Sequence, residues 1–431
     1  MAEMSSEYYR RLVDLAMNAG QIMMSAGAET HRVEDTLKRI LSTSEFERTD
    51  AFVLRTGITI TLSDPRYKTI SMTRRVYSGP PHLSKISDVN TVSRDFCSGK
   101  IDIDQAERQM KVAAGKTLYS NITIFIFHML ATAGFAYVFG GGFLEAFLAL
   151  FVGCLLGYHN VYIAKHINKS FLADLLGAAL VVVSSVGISF LLKKFGINAE
   201  CQYIIAGSLM PLVPGTAFTG AIRDILAGDY VSGTARIIEA IIVAASVALG
   251  VAFGFVVADF LGFNLVVEFT LEGIHAFGGH AFFAVLATFV GILGFCPVFS
   301  CPYKFIIICC SEASVCWAVY LLCVGCGLSS VWASFFGAMF VYLSSQILAR
   351  KLKAPVIIFL VMGVLPLVPG YGIYKVAYDM FTGGDVGASL TNALLLAGAV
   401  ALAVMVMDTM VDLSIRIYRR YKDGTLFDFM N

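Results

Sequence analysis

Two rhythms divide the chain. From Arg11 onward, apolar residues fall at positions 12, 15, 19, 22, 26, 33, 37 and 40, in steps of three and four with one skipped turn at Thr30. That spacing predicts an amphipathic helix or a pair of helices. "AFVLRTGITITLS" and "YKTISMTRRVY" then alternate apolar and polar residues around the turn former "SDPR", which predicts a β-hairpin or meander. After "SGPP" come two short charged helical stretches, 83–96 and 102–112. This first part reads as a small α+β domain in water.

From Ile122 the pattern changes to long apolar runs separated by glycines or charges. A span needs about 20 apolar residues, fewer where the helix is interrupted. Ten runs qualify: 122–139, 144–163, 171–192, 203–218, 233–257, 280–297, 303–322, 330–349, 355–371 and 388–414. The expected architecture is an all-α polytopic membrane protein behind a small α+β domain. Its expected parts are a cytoplasmic domain over 1–115, five spans over 116–262, and five more over 263–431 with a basic tail.

Composition sharpens the division. The chain is 57% hydrophobic and 15% charged, against about 25% charged in soluble proteins. The first 115 residues hold 16 of the 32 Lys+Arg and 15 of the 31 Asp+Glu. A net charge of +1 gives no sign of a nucleic-acid partner. The opening residues are too polar for a signal peptide, which predicts a cytoplasmic N-terminus. With that orientation the inward loops and tail receive twelve Lys and Arg and the outward loops three, Lys193, Lys194 and Lys375.

"PLVPG" occurs twice, at Pro211–Gly215 and Pro366–Gly370. The longer segments "AGSLMPLVPGTAFTGAIRDILAGD" and "VMGVLPLVPGYGIYKVAYDMFTGGD" align around it, so the chain is internally duplicated. A unit of five spans is odd, so the second copy must cross the bilayer in the opposite direction. The expectation is a 5+5 inverted repeat whose two proline-broken helices face one polar cavity. Pro211, Pro214, Gly215, Thr216, Pro366, Pro369, Gly370 and Tyr371 are the candidate substrate-binding residues.

"AGQIMMSAGAETHRVEDTLKRI" (Ala19–Ile40) resembles the hallmark of the threonine/serine exporter family, and the duplicated Pro-Leu-x-Pro-Gly is its second hallmark. The resemblance covers nearly the whole chain. It implies a soluble N-terminal domain, ten transmembrane helices, and export of threonine and serine driven by the proton motive force. The family also occurs as two subunits, matching residues 1 to about 262 and about 275 to the end. That split form is associated with succinate. The partners implied are a small-molecule substrate, protons and the lipid bilayer of the cytoplasmic membrane. Oligomeric state, a homo-oligomer included, stays open.

Acidic residues in spans are costly and by default functional. Glu239, one turn after Arg236, is either that arginine's ion-pair partner or a proton-coupling carboxylate. Glu312 has no base at helical spacing. Asp224 and Asp379 follow the two breaks at the same distance and are read as helix caps or cation ligands. His128 and His159 are read as packing histidines. Glu29, His31, Arg32 and Glu34 crowd two helical turns, where a docking or gating contact outweighs a hydrolase site, because no nucleophile elbow accompanies them. Ordinary i,i+4 pairs from His31 to Asp35 and Glu34 to Lys38 are the simplest arrangement there. Cys323-Val-Gly-Cys326 lacks a second ligand pair, and "AGKT" at Ala114–Thr117 lacks the first glycine of a phosphate loop. No enzyme activity, metal or cofactor is expected.

Overall fold

The computed structural model describes residues 2–65, 67–77, 79–226, 228–263, 279–368 and 370–422. Two helices, α1 (Ala2–Ser25) and α2 (Thr30–Leu41), open the chain. The eight apolar positions that set the helical rhythm are all buried, in the core of this first part. Three antiparallel strands follow in the order β1 (Arg48–Leu54), β2 (Gly57–Asp64), β3 (Tyr67–Arg75). The stretch "AFVLRTGITITLS" is therefore two strands, folded at Arg55-Thr56 so that Leu54 pairs with Gly57. Helices α3 (Leu83–Cys97) and α4 (Ile103–Gly115) close the layer against α1.

The remainder is helical, and its element order repeats. The first series is α5 (Asn121–Val138), α6 (Phe143–Tyr158), α7 (Ser170–Lys194), α8 (Cys201–Leu209), α9 (Gly215–Leu226) and α10 (Tyr230–Phe260). The second is α11 (Gly279–Val298), α12 (Ile306–Gly325), α13 (Ser330–Leu352), α14 (Val356–Val364), α15 (Gly370–Thr382) and α16 (Val386–Lys422). Each series runs three long helices, two short and one long. Among the described residues eight helices are long and apolar enough to cross a membrane, or nine if α14 and α15, bent by 46°, form one span. The sequence predicts ten. The difference lies at 203–218 and 355–371, where nine-residue helices α8 and α14 stop early. Nine residues rise about 14 Å, half of an apolar layer about 30 Å thick.

The first helices of the two series pack antiparallel. The start of the first meets the end of the second, where the Tyr119 hydroxyl donates to Cys301 O at 2.6 Å. Further along, a Cβ added at Gly134 would lie 2.4 Å from the Gly291 amide nitrogen, and one at Gly294 2.2 Å from that of Ala131. Only glycine permits such backbone contact. Across the series, α9 packs on α16 and α15 on α10. Phe147, Phe151 and Leu155 on α6, and Ile238, Ile241, Leu249 and Phe253 on α10, face outward, which is the apolar face a bilayer covers. The acidic loop from 264 to 278 lies outside the described residues.

Candidate functional site

Both helix breaks fall on the repeated motif. Pro211 and Pro214 have no amide to give, and the turn after Leu209 is closed by Leu212 N–H donating to Leu209 O at 2.9 Å. In the second copy, Pro366 sits in a buried 3-10 turn, Leu365–Leu367, and the chain resumes as α15 at Gly370. The two breaks touch each other. A Cβ added at Gly370 would lie 2.5 Å from the Met210 sulfur and 3.7 Å from Val213.

A cavity of about 450 Å³ lies beside this contact. Met210–Pro214 form one wall, and Val364, Leu365 and Val368 form part of another. The expected polar pocket is thus apolar where the motifs line it. Its charged end is made by Glu29, Arg55, Arg236 and Glu239, under Gly27 and Pro80–Pro81 of the N-terminal domain. Of the candidate binding residues, Pro211 and Pro214 line the cavity and Gly370 meets Met210. Tyr371 is half-buried, its ring 5.9 Å from Phe139 and 6.1 Å from Tyr374. Gly215 and Thr216 open α9, and Pro369 lies outside the described residues.

The duplicated aspartates are buried and hold the protein's own cations. Asp224 lies 3.4 Å from the Arg236 guanidinium, and Asp379 is paired with Lys375 and accepts from Ser389 of α16. Each ties the second short helix of its series to the long helix that follows. Arg236 does not pair with Glu239. It also donates to Ala28 O at 3.0 Å, while Glu239 takes Arg55 from the β1–β2 turn at 3.2 Å.

These contacts dock the N-terminal motif over the cavity. Thr30 donates to Asp229 at 2.5 Å, and Asp229 also caps α10 by accepting from Ser232 N–H. Leu83 and Ser84 N–H donate to Phe299 O and Ser300 O at 2.9 and 3.0 Å. His82 caps that helix by accepting from Lys85 N–H, and burial with the Lys85 charge holds its imidazole below the ordinary 6.5. His31 is exposed and lies 3.4 Å from the Glu29 carboxylate, not on Asp35. Glu34 accepts from Val53 N–H at 3.1 Å, pinning α2 to β1 rather than meeting Lys38. Arg32 borders a second cavity of about 110 Å³ with Glu29, Asp35 and the first residues of α14. Gly20 packs α1 on Leu37 and Ile58 inside the domain, away from this contact.

Residues 14–258 match the family described as putative threonine/serine exporter, and residues 284–410 match a second family described as threonine/serine exporter. The chain belongs to the threonine/serine exporter family. A threonine/serine exporter of Corynebacterium glutamicum is 22% identical over 400 residues, 92% of this chain and 81% of that protein. A probable threonine/serine exporter of Mycobacterium tuberculosis is 20% identical, covering 92% of this chain and 74% of its own length. A pheromone-regulated membrane protein 10 of Pichia sorbitophila matches 54% of this chain at 24% identity, and the match spans 23% of that longer protein. No solved structure matches.

In this member of the threonine/serine exporter family, Glu312 stands apart from the other acidic candidates. Its Oε1 accepts from Ser344 and Ser345 at 2.6 and 2.9 Å. Its Oε2 is buried with no hydrogen-bond partner among the described residues. The carboxyl packs against Gly363, on the short helix that leads into the second motif. Sequence reasoning missed Met210, Arg55 and Asp229. The signal for Asp229 was present, an aspartate three residues before Ser232 at a helix start. Arg55 was hidden because its turn was read as strand.

Proposed function

We propose that the chain is a secondary active exporter of small polar metabolites, threonine and serine first among them, driven by the proton motive force. It sits in the cytoplasmic membrane with the N-terminal domain and C-terminus inside. The observation that supports this most directly is the contact of Met210 with Gly370. Two helices broken by the same five residues meet beside a cavity, and two series of helices whose first members pack antiparallel supply them. Substrate binds between Pro211–Thr216 and Pro366–Tyr371, where the positive dipole ends of α9 and α15 attract a carboxylate. Rocking of the two halves opens the cavity to each side in turn. The N-terminal domain gates the cytoplasmic side through Thr30, Arg55 and Ala28.

Glu312 is the proton carrier in this reading. Asp224, Asp379 and Glu239 each face a cation supplied by the protein itself. Glu312 faces two serine hydroxyls, an arrangement that tolerates both protonation states. Counterflow in proteoliposomes tests the function. Preloaded unlabelled threonine drives uptake of labelled threonine if the proposal holds, and exchange of succinate without threonine overturns the substrate.

A further inference from the structure

The duplication extends to the packing behind each motif. In the first half, Gly177 of α7 receives Leu212 of the motif and the His159 imidazole, at 3.4 and 3.2 Å from where a Cβ would stand. In the second half, Gly337 of α13 receives Leu367 of the motif and the Cys316 thiol, at 3.0 and 3.6 Å. Leucine matches leucine and glycine matches glycine. The third member differs: an imidazole in one half stands where the other half has a thiol, which hydrogen-bonds to Gly337 O.

His159 opens a π-helical turn, His159–Ile163, at the end of α6. Such turns are rare and concentrate at functional positions. The side chain is 4% exposed. Its Nδ1 lies 3.1 Å from Asn160 Oδ1, and Asn160 Nδ2 lies 3.4 Å from His128 Nε2. His128 Nδ1 in turn lies 2.8 Å from Ile124 O. A carbonyl can only accept, so His128 carries its proton on Nδ1 and its Nε2 accepts from the Asn160 amide. The amide oxygen therefore faces His159 and fixes that proton on Nδ1 as well. The consequence is a bare Nε2 lone pair, buried and without a hydrogen-bond partner among the described residues. An unsatisfied buried acceptor is costly.

We propose that His159 is a second proton-binding station of the transport cycle, belonging to the first half as Glu312 belongs to the second. This rests on the proton-driven reading of the function. Nε2 takes up one proton from one side of the membrane, becoming imidazolium, and returns it to the other; Nδ1–H stays on Asn160 throughout. Asn160 and His128 are positioning residues, since they fix the tautomer without touching the moving proton. The segments packed on this turn present few other charges. α5 presents His128, α7 presents Asp174 one turn before Gly177, and α6 has only Glu145 at its far end, held by the Gly142 and Glu200 amides. Lys165 and His166 follow on the next turn of its own segment.

The test uses the full chain in proteoliposomes and two assays, counterflow and accumulation driven by a pH gradient. His159→Gln keeps the volume and cannot become a cation. It is expected to keep counterflow within about twofold and lose gradient-driven accumulation by about tenfold or more. Retained accumulation with an unchanged pH profile overturns the station and leaves the proton-driven reading standing. Equal loss in both assays also overturns it, as the mark of a packing role. Unmutated protein that exchanges threonine but ignores a pH gradient overturns both. Where His159→Gln does not fold, Asn160→Leu spares both imidazoles and is read the same way: a displaced pH profile supports the station and an unchanged one overturns it.

Discussion

Met210 rests on Gly370, so the break in the first half of the chain is packed on the break in the second. A side chain at position 370 must displace that sulfur. Gly370→Val is expected to cost about 1–3 kcal/mol of stability by overpacking and to cut counterflow about tenfold. Gly370→Ala does less, because the end of Met210 can swing. Adding Met210→Ala to Gly370→Val should return most of the lost exchange; a double variant as impaired as the single would separate the contact from transport.

Arg236 joins three elements, with Asp224 on α9, Ala28 O in the N-terminal motif, and its own α10. The side chains of the pair are 9% and 3% exposed. Removing one partner of a buried pair costs about 3–5 kcal/mol. Arg236→Ala is therefore expected to lower the unfolding temperature in detergent by several degrees, and Arg236→Lys to lower it less. Thermal unfolding followed by intrinsic fluorescence checks the order.

Glu312→Gln keeps the serine contacts and removes the titratable group. Exchange of threonine is expected to continue within about twofold, and accumulation against a gradient to fall by about tenfold. The same pair of assays that reads His159 reads this variant, and the two variants should fail in the same assay.

Docking of the N-terminal domain should weaken in acid. The folded-state pKa of His82 lies below its ordinary 6.5, so below that pH the undocked, solvated imidazole binds the proton that the capped one refuses. The contribution is whole above pH 6.5 and is lost as pH falls through the lowered value. Protection from hydrogen exchange at Leu83 and Ser84, whose amides hold Phe299 O and Ser300 O, is expected to fall between pH 7.5 and 5 once the intrinsic slowing of exchange in acid is divided out. His82→Asn, which still caps but does not titrate, should remove that dependence.

Much of this was legible in the letters because proline, glycine and period are local signals. Leu12 to Ile40 announced their helices by spacing alone, and the twin motif announced both breaks. Pairings between distant residues were not legible. Arg236 and Glu239 stand one turn apart on α10, yet each takes a partner from elsewhere, because the N-terminal domain brings Arg55 and Ala28 O within reach. The number of spans was less legible for a related reason. An apolar run records only that residues are buried, and every residue of α8 and all but Val361 of α14 are packed inside the protein.

The crossing of Gly134 with Gly291 sets a mechanical limit. Where main chain lies on main chain, neither helix can ratchet along the other without collision, since the flanking residues Phe135 and Ile292 are bulky and fully enclosed. The two can still swivel about that point. In the proposed rocking of the two halves this pair serves as the axle, and the parts that swing are those hung farthest from it.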